Sequence, residues 1–378
     1  MRIKMNKLII VIFCLQTGFV TAQKAAPISA LKLLNVYTIP DGSTYNGTVV
    51  GGLSGIDYDK RGNIFYLISD DRSSVNPARF YKARILFNDK GIDTIIFCGV
   101  HTMLQSNGSP YPSVEQDPHH VPDPESIRFN ADQNQLVWSS EGERDLKDGK
   151  ILSNPAVTIM DTLGRYISEL PLAANLQMSE SELGPRKNGV FEGLTFADDF
   201  KSLFVSIEEP LYQDGPRADL VPNNSWLRIY KYDLTRQLVA SQYAYLPDAV
   251  AQPATPENAF KINGLVELLS VGPSDLLTVE RSFSTGRIGC TVKVFVTDFR
   301  GAEDVSNIYS LRKQPPAQPV RKKLLFNFDT LGVYVDNVEG ITFGPALPNG
   351  HRTLIFIADN NFSSLEKTQV FLFEVIGD

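Results

Sequence analysis

Leu53-Ser54-Gly55-Ile56-Asp57-Tyr58 opens a pattern that recurs four more times along the chain. Its later copies are Pro124-Glu125-Ser126-Ile127-Arg128-Phe129, Phe191-Glu192-Gly193-Leu194-Thr195-Phe196, Ile262-Asn263-Gly264-Leu265-Val266-Glu267 and Val338-Glu339-Gly340-Ile341-Thr342-Phe343. Each copy has one polar residue, usually a small partner, and an alternating apolar strand. From Ser54 through Glu125, Glu192 and Asn263 to Glu339 the steps are 71, 67, 71 and 76 residues. An internal repeat of that length fits a four-stranded propeller blade with its loops.

Working outward, a second apolar run follows each opening and ends in acid. The first acids are Asp70, Glu141, Glu208, Glu280 and Asp359, at 16, 16, 16, 17 and 20 residues from the opening polar residue. That spacing reads as an antiparallel hairpin, with Lys60-Arg61-Gly62-Asn63 as a typical tight turn. Two further strands follow in each of the first four units, but the fifth has only its third before the chain ends. Residues 31–39 supply the missing strand. The sequence therefore predicts an all-β fold, a single β-propeller of five four-stranded blades closed by the N-terminal strand completing the last one, with six blades as the alternative count. Closure leaves no open sheet edge.

Residues 1–22 stand outside this pattern. Arg2, Lys4 and Lys7 precede an apolar run over residues 8–20, and Thr21-Ala22-Gln23 makes a small-residue exit. This describes a signal peptide, with a retained anchor as the alternative; the run is short for a membrane span. The expected organisation is signal peptide 1–22, flexible N-terminus 23–30 and propeller 31–378, exported to the periplasm or the exterior, with no membrane span after cleavage. Cleavage removes three basic residues and no acidic ones, taking the net charge from −7 to −10. Such a charge argues against nucleic acid as a partner and suits a site that neutralises gathered carboxylates with a metal. A monomer is expected. Cys98 and Cys290 fall in blades one and four, which are not neighbours in a five-membered ring, so both are expected as free, mostly buried thiols.

The first strand of each blade lines the central channel. Ser54, Glu125, Glu192, Asn263 and Glu339 should therefore face one another at one end of it. Inward carboxylates repel unless a cation joins them, and oxygen donors suit calcium better than zinc or copper. One axial calcium is the expectation; the alternative is that these residues bond to neighbouring backbone and pin the blades. Around them lie the hairpin ends, on the face that also carries the long loops. There Arg72, Arg144 and Arg281, with Glu280 and Asp359, are candidates to bind an anionic substrate. Glu141, Glu208 and Asp70 are candidate catalytic acids or bases. These groups can equally form a structural ion-pair network. His119-His120 reads as surface loop, since adjacent histidines point apart in an extended chain, and His101 is a further acid–base candidate. No nucleophile elbow, phosphate-binding glycine loop or paired-histidine zinc motif is present.

Several stretches together resemble the secreted phytase-like esterase family across nearly the whole chain after residue 22. They are Leu53 to Tyr58 with Ile68-Ser69-Asp70-Asp71-Arg72, Pro122-Asp123-Pro124-Glu125-Ser126-Ile127, Trp138-Ser139-Ser140-Glu141-Gly142-Glu143-Arg144, Asn188-Gly189-Val190-Phe191-Glu192-Gly193-Leu194, Val279-Glu280-Arg281-Ser282-Phe283-Ser284 and Asn337 to Phe343. The resemblance implies a propeller that hydrolyses phosphoric or carboxylic esters. In blade number and ligand type the arrangement is also similar to five-bladed calcium-activated nucleotidases; the alkaline propeller phytases have six blades, and their calcium cluster is not carried over. The expectation is a calcium-dependent hydrolase of a small anionic phosphate ester. The alternative is a non-catalytic module that binds a glycan, peptide or protein and keeps calcium as a structural ion.

Overall fold

A computed structural model describes residues 27–147, 150–197 and 200–377. The expected signal peptide lies outside the described residues. The propeller has five blades, each a four-stranded antiparallel sheet. Blade 1 comprises Leu53–Asp59, Ile64–Ser69, Arg79–Asn88 and Gly91–Thr102. Blades 2, 3 and 4 start their inner strands at Pro124–Asn130, Phe191–Phe196 and Lys261–Gly272, and each adds three strands outward in sequence order. Blade 5 runs Asn337–Gly344, Thr353–Asp359 and Gln369–Gly377, and its outermost strand is Ile28–Thr38. The closing pair aligns Ile28 with Gly377 and Thr38 with Gln369. This strand begins inside the stretch expected to be flexible, because residues 28–30 already face the C-terminal strand.

Position in the blade explains each strand's composition. An inner strand packs on both neighbouring blades, and Phe191–Phe196 is buried throughout. An outer strand has one wet face, and Tyr166–Glu169 alternates between half-buried and exposed. The predicted turn at residues 60–63 is present, with Asn63 at φ 50°, a left-handed conformation that asparagine tolerates. The core lies between blades. Where blade 4 meets blade 5, Phe328 is surrounded by the rings of Phe326, Phe356, Phe371 and Phe373 at centroid distances of 5.2–5.5 Å. The five inner strands touch in order around a closed ring.

One end of that ring is plugged. Arg128 on blade 2 pairs with Glu267 on blade 4 at 2.8 Å, and both are buried. Blades 2 and 4 are not neighbours, so the pair crosses the channel. Arg128 donates to the carbonyls of Ile56 and Leu268, and Glu267 accepts from Ser126 Oγ and the backbone N–H groups of Leu194 and Leu268. Four blades are thereby tied across the axis, and the larger cavity lies at the other end, about 830 Å³ against about 330 Å³ on this one. Removing one member leaves the other charged and dry. Glu267→Ala should cost about 3–5 kcal/mol in urea unfolding.

Cys98 and Cys290 are free, as expected from their blades, but the expected burial is wrong for Cys98. It stands on the wet face of an outer strand and is exposed. Cys290 is half-buried beside the open end of the channel, and burial pushes its thiol up to about 12. At pH 8 iodoacetamide should label Cys98 and leave Cys290 largely unmodified, read by peptide mass.

Candidate active site

Four of the five opening motifs depart from a regular ladder at the polar residue. Pairing between the first two strands slips between Leu53 and Gly55, Pro124 and Ile127, Phe191 and Leu194, and Val338 and Gly340. The slips leave Ser54, Glu125, Glu192 and Glu339 out of the ladder. A bulge of this kind re-aims a side chain, here toward the axis. In blade 4 the slip falls later, at Val266, and Asn263 remains paired with Ser282. The small residue after the polar one lets the strands approach. A Cβ on Gly193 would lie 2.5 Å from Glu267 Cα of the next blade.

The open end of the channel is a cavity of about 830 Å³. Glu125, Glu192 and Glu339 line it together with Asp70, Arg72, Glu141, Glu208 and Arg281. Carboxylate oxygens of Glu141, Glu192 and Glu208 lie within 4.8 Å of one another, as do those of Asp123, Glu125 and Glu141. Glu141 belongs to both groups. Its Oε1 accepts from the backbone N–H of Gly189 and Val190, each at 2.6 Å, which anchors one oxygen. Arg281 lies between Glu208 and Glu339, 3.2 Å from each. Arg72 donates to Glu143 at 2.8 Å and sits 3.5 Å from Asp123.

Arginines do not balance this acid. Burial first, then the facing carboxylates, pushes the pKa of Glu125, Glu141 and Glu192 well above the ordinary value. Burial likewise pushes Asp70 up to about 7, helped by Glu339 and Asp71, and Asp123 up to about 7 against the pull of Arg72. Glu339 rises to about 7 by burial despite Arg281. Glu208 Oε1 is buried beside Arg281 Nη2 at 3.2 Å but accepts no well-aligned hydrogen bond. Buried, mutually close, all-oxygen donors of this sort can hold a hard metal ion.

Other expected site residues are spent elsewhere. Ser54 donates to the carbonyl of Glu125 at 2.7 Å and pins blade 1 to blade 2. Asn263 donates to the Asp248 carbonyl and to Glu280, at 2.9 and 2.8 Å. Neither lines the cavity, so the expected five-membered ring reduces to three glutamates. Glu280 accepts from Tyr245 Oη of blade 3 and from Lys322 of blade 4 and does not line the cavity either. Arg144 also leaves the expected substrate group: it donates to the carbonyls of Ser179, Glu180 and Ser181, and Tyr212 lies beside it. Asp359 is fully buried behind Asp70, not at the cavity wall, and both its oxygens lack donors. His101 stacks on Phe80 in the outer half of blade 1, remote from the site. His120 pairs with Asp117 on an exposed loop.

Sequence reasoning missed Asp123, which joins one of the two carboxylate groups, and Asn188 and Asp336, which line the cavity. Asp123 and Asp336 immediately precede an inner strand and Asn188 stands three residues before one, all on the loop side of the opening motif. That position was the available signal.

A model for the family described as esterase-like activity of phytase matches residues 48–362. The chain belongs to this phytase-like family. Among the curated proteins none matches it. Solved structures that are similar to this phytase-like propeller include a thermostable family-43 glycoside hydrolase, at TM-score 0.49 and 11% identity over 90% of this chain and 96% of the other. An exo-β-1,3-galactanase from Clostridium thermocellum has TM-score 0.48 and 12% identity over 89% and 62%. A gluconolactonase from Xanthomonas campestris has TM-score 0.37 and 10% identity over 93% and 99%. No site chemistry follows from likeness at that level. Among the described residues, no helix is long and apolar enough to cross a membrane.

A carboxyl group whose pKa is higher in the folded chain than in the unfolded one takes up a proton on folding. The folded state then loses stability as pH rises through the folded value, and the loss is absent below the unfolded value of about 4. With Asp70, Asp123 and Glu339 all near 7, the chelated phytase-like protein should melt at a higher temperature at pH 6 than at pH 8. A flat or inverted slope in scanning calorimetry would show that the carboxylates are neutralised by something other than protons.

Proposed function

We propose that this phytase-like propeller is an exported, calcium-dependent hydrolase of phosphate esters, working at the open end of its channel. One observation carries the reading: two groups of buried carboxylates share Glu141 at the floor of a cavity that also holds Arg72 and Arg281. The donor set fits calcium. Oxygens bound to one calcium ion are at most about 5 Å apart, and within each group the oxygens meet that limit at 4.8 Å. Asp123, Glu125, Glu141 and Glu192 would hold the ion, leaving Glu208 to act as a base. When bound, calcium offsets the carboxylate charge and polarises a phosphoryl oxygen.

The chain's own residues supply the rest. Arg72, partly exposed, and Arg281 offer guanidinium donors to the remaining phosphoryl oxygens. Glu208 accepts the proton of the attacking water as it bonds to phosphorus. Asp70 still carries a proton near neutrality and donates it to the leaving alkoxide as the ester P–O bond breaks. Burial first, then repulsion from Glu339 and Asp71, favours that protonated form, against the hydrogen bond from Asp359 behind it.

Turnover of p-nitrophenyl phosphate, bis-p-nitrophenyl phosphate, nucleotides, phytate and p-nitrophenyl acetate, each with and without calcium, tests the reading. Calcium-dependent release of phosphate from any of the phosphate esters is expected. Flat traces for every phosphate ester, with calcium still bound, would make the protein a binding module. Glu192→Gln should abolish both calcium binding and turnover. Arg72→Ala should lower kcat/KM by about tenfold or more, the worth of a charged hydrogen bond, whereas Arg144→Ala should leave it within about twofold, because Arg144 serves the loop at residues 179–181.

A further inference from the structure

The cavity has two unlike walls. Its floor and one side carry the carboxylates, Arg72 and Arg281. Its rim on blades 4 and 5 adds apolar side chains, Phe260, Phe283, Ile288 and Leu365, with Arg287, Asn361 and Glu366 among them. Phe260, Ile288 and Leu365 are 50%, 92% and 88% exposed. Single exposed apolar residues are ordinary. Three from separate loops, converging on the mouth of one charged cavity, are not scattered, and apolar surface gathered in a concave site marks contact with a ligand.

The rim is also built to hold its shape. Ile288 sits in the hairpin between the strands Asp275–Ser284 and Thr291–Asp298. Thr285 N–H donates to the Phe260 carbonyl at 2.9 Å, Thr255 N–H to the Thr285 carbonyl at 2.8 Å and Cys290 N–H to the Val335 carbonyl at 2.9 Å. Arg287 Nε donates to the Pro253 carbonyl at 2.7 Å. Gly289 has φ 71°, and a Cβ there would lie 2.5 Å from the Val335 carbonyl oxygen, so the hairpin meets the next loop backbone to backbone. Phe260 packs against Phe283 at 6.3 Å between ring centroids. Ile288 is thus presented from a braced turn.

We infer that the substrate is a phosphate ester of an apolar alcohol, whose alkyl or aryl group lies against Phe260, Ile288 and Leu365. This rests on the proposed hydrolase reading and narrows it. The charge balance points the same way. Carboxylates far outnumber the arginines Arg72, Arg281 and Arg287 in the cavity, so a polyol carrying many phosphates meets repulsion, whereas one phosphoryl group with an apolar tail meets a complementary site.

Calorimetric binding of methylphosphonate and octylphosphonate, in calcium, tests the wall without requiring turnover. Octylphosphonate should bind at least about tenfold more tightly, since burying even two or three methylenes is worth that much. The double variant Ile288→Ser, Leu365→Ser should shrink the ratio to about threefold or less. Equal affinities in the natural chain, a ratio that survives the double variant, or no binding of either phosphonate would overturn the inference. Hydrolysis of methyl and octyl phosphate separates it from the broader reading. Calcium-dependent turnover of both with equal kcat/KM defeats the apolar wall alone. A chain-length effect on binding with no turnover defeats the hydrolase alone.

Discussion

Glu125, Glu192 and Glu339 cannot move apart. Each is thrown inward by a bulge in a strand that touches two neighbouring inner strands, and the ring those strands form is closed. Glu141 and Glu208 come up behind them directly after the second strands, and Glu141 is further held by two backbone amides. Arg281 and Arg72 are too few to balance this charge. In a buried setting of low dielectric such an excess is resolved either by protons or by a cation. The raised pKa values, set first by burial and then by the facing carboxylates, and the capacity for metal binding follow from gathering this charge in a buried place.

The two ends of the channel answer the same geometry differently. At the closed end, one arginine and one glutamate cross the axis and hydrogen-bond to four blades. That end is a structural bolt. At the open end, acid is gathered without enough base, and the surrounding loops leave a cavity over it. Because the acidic groups stand at the ends of packed strands and not on loops, their spacing is held by the core between blades, which is what a preorganised site requires. The loops contribute the more variable features: Asp123 and Asn188 next to the acid, and the apolar rim around Ile288.

The phytase-like repeat was legible because a closed ring asks the same thing of every inner strand. A polar residue, a small neighbour and an alternating apolar run must return once per blade, and the recurrence marks Ser54, Glu125, Glu192, Asn263 and Glu339 as equivalent. The equivalence of position was real; the equivalence of role was not. Ser54 is too short to do more than reach the next blade's carbonyl, and Asn263 lacks the bulge that turns the others inward. Arg144 and Arg281 follow acid in the same way, yet one is taken up by the carbonyls of residues 179–181 and the other stands between two buried glutamates.

The amino-acid sequence by itself determined the blade count, the closing strand and the end of the molecule where acid collects, since periodicity and strand alternation depend only on residue order. Tertiary structure alone decided which polar groups reach the cavity, that Asp123 joins them, that Asp359 lies behind Asp70, and that an apolar rim faces the acid. Those outcomes depend on where bulges fall and on which partners lie across a blade interface. Hydrogen-bond partners separated by dozens or hundreds of residues leave no trace in local pattern, so a side chain's chemistry is known before its company is.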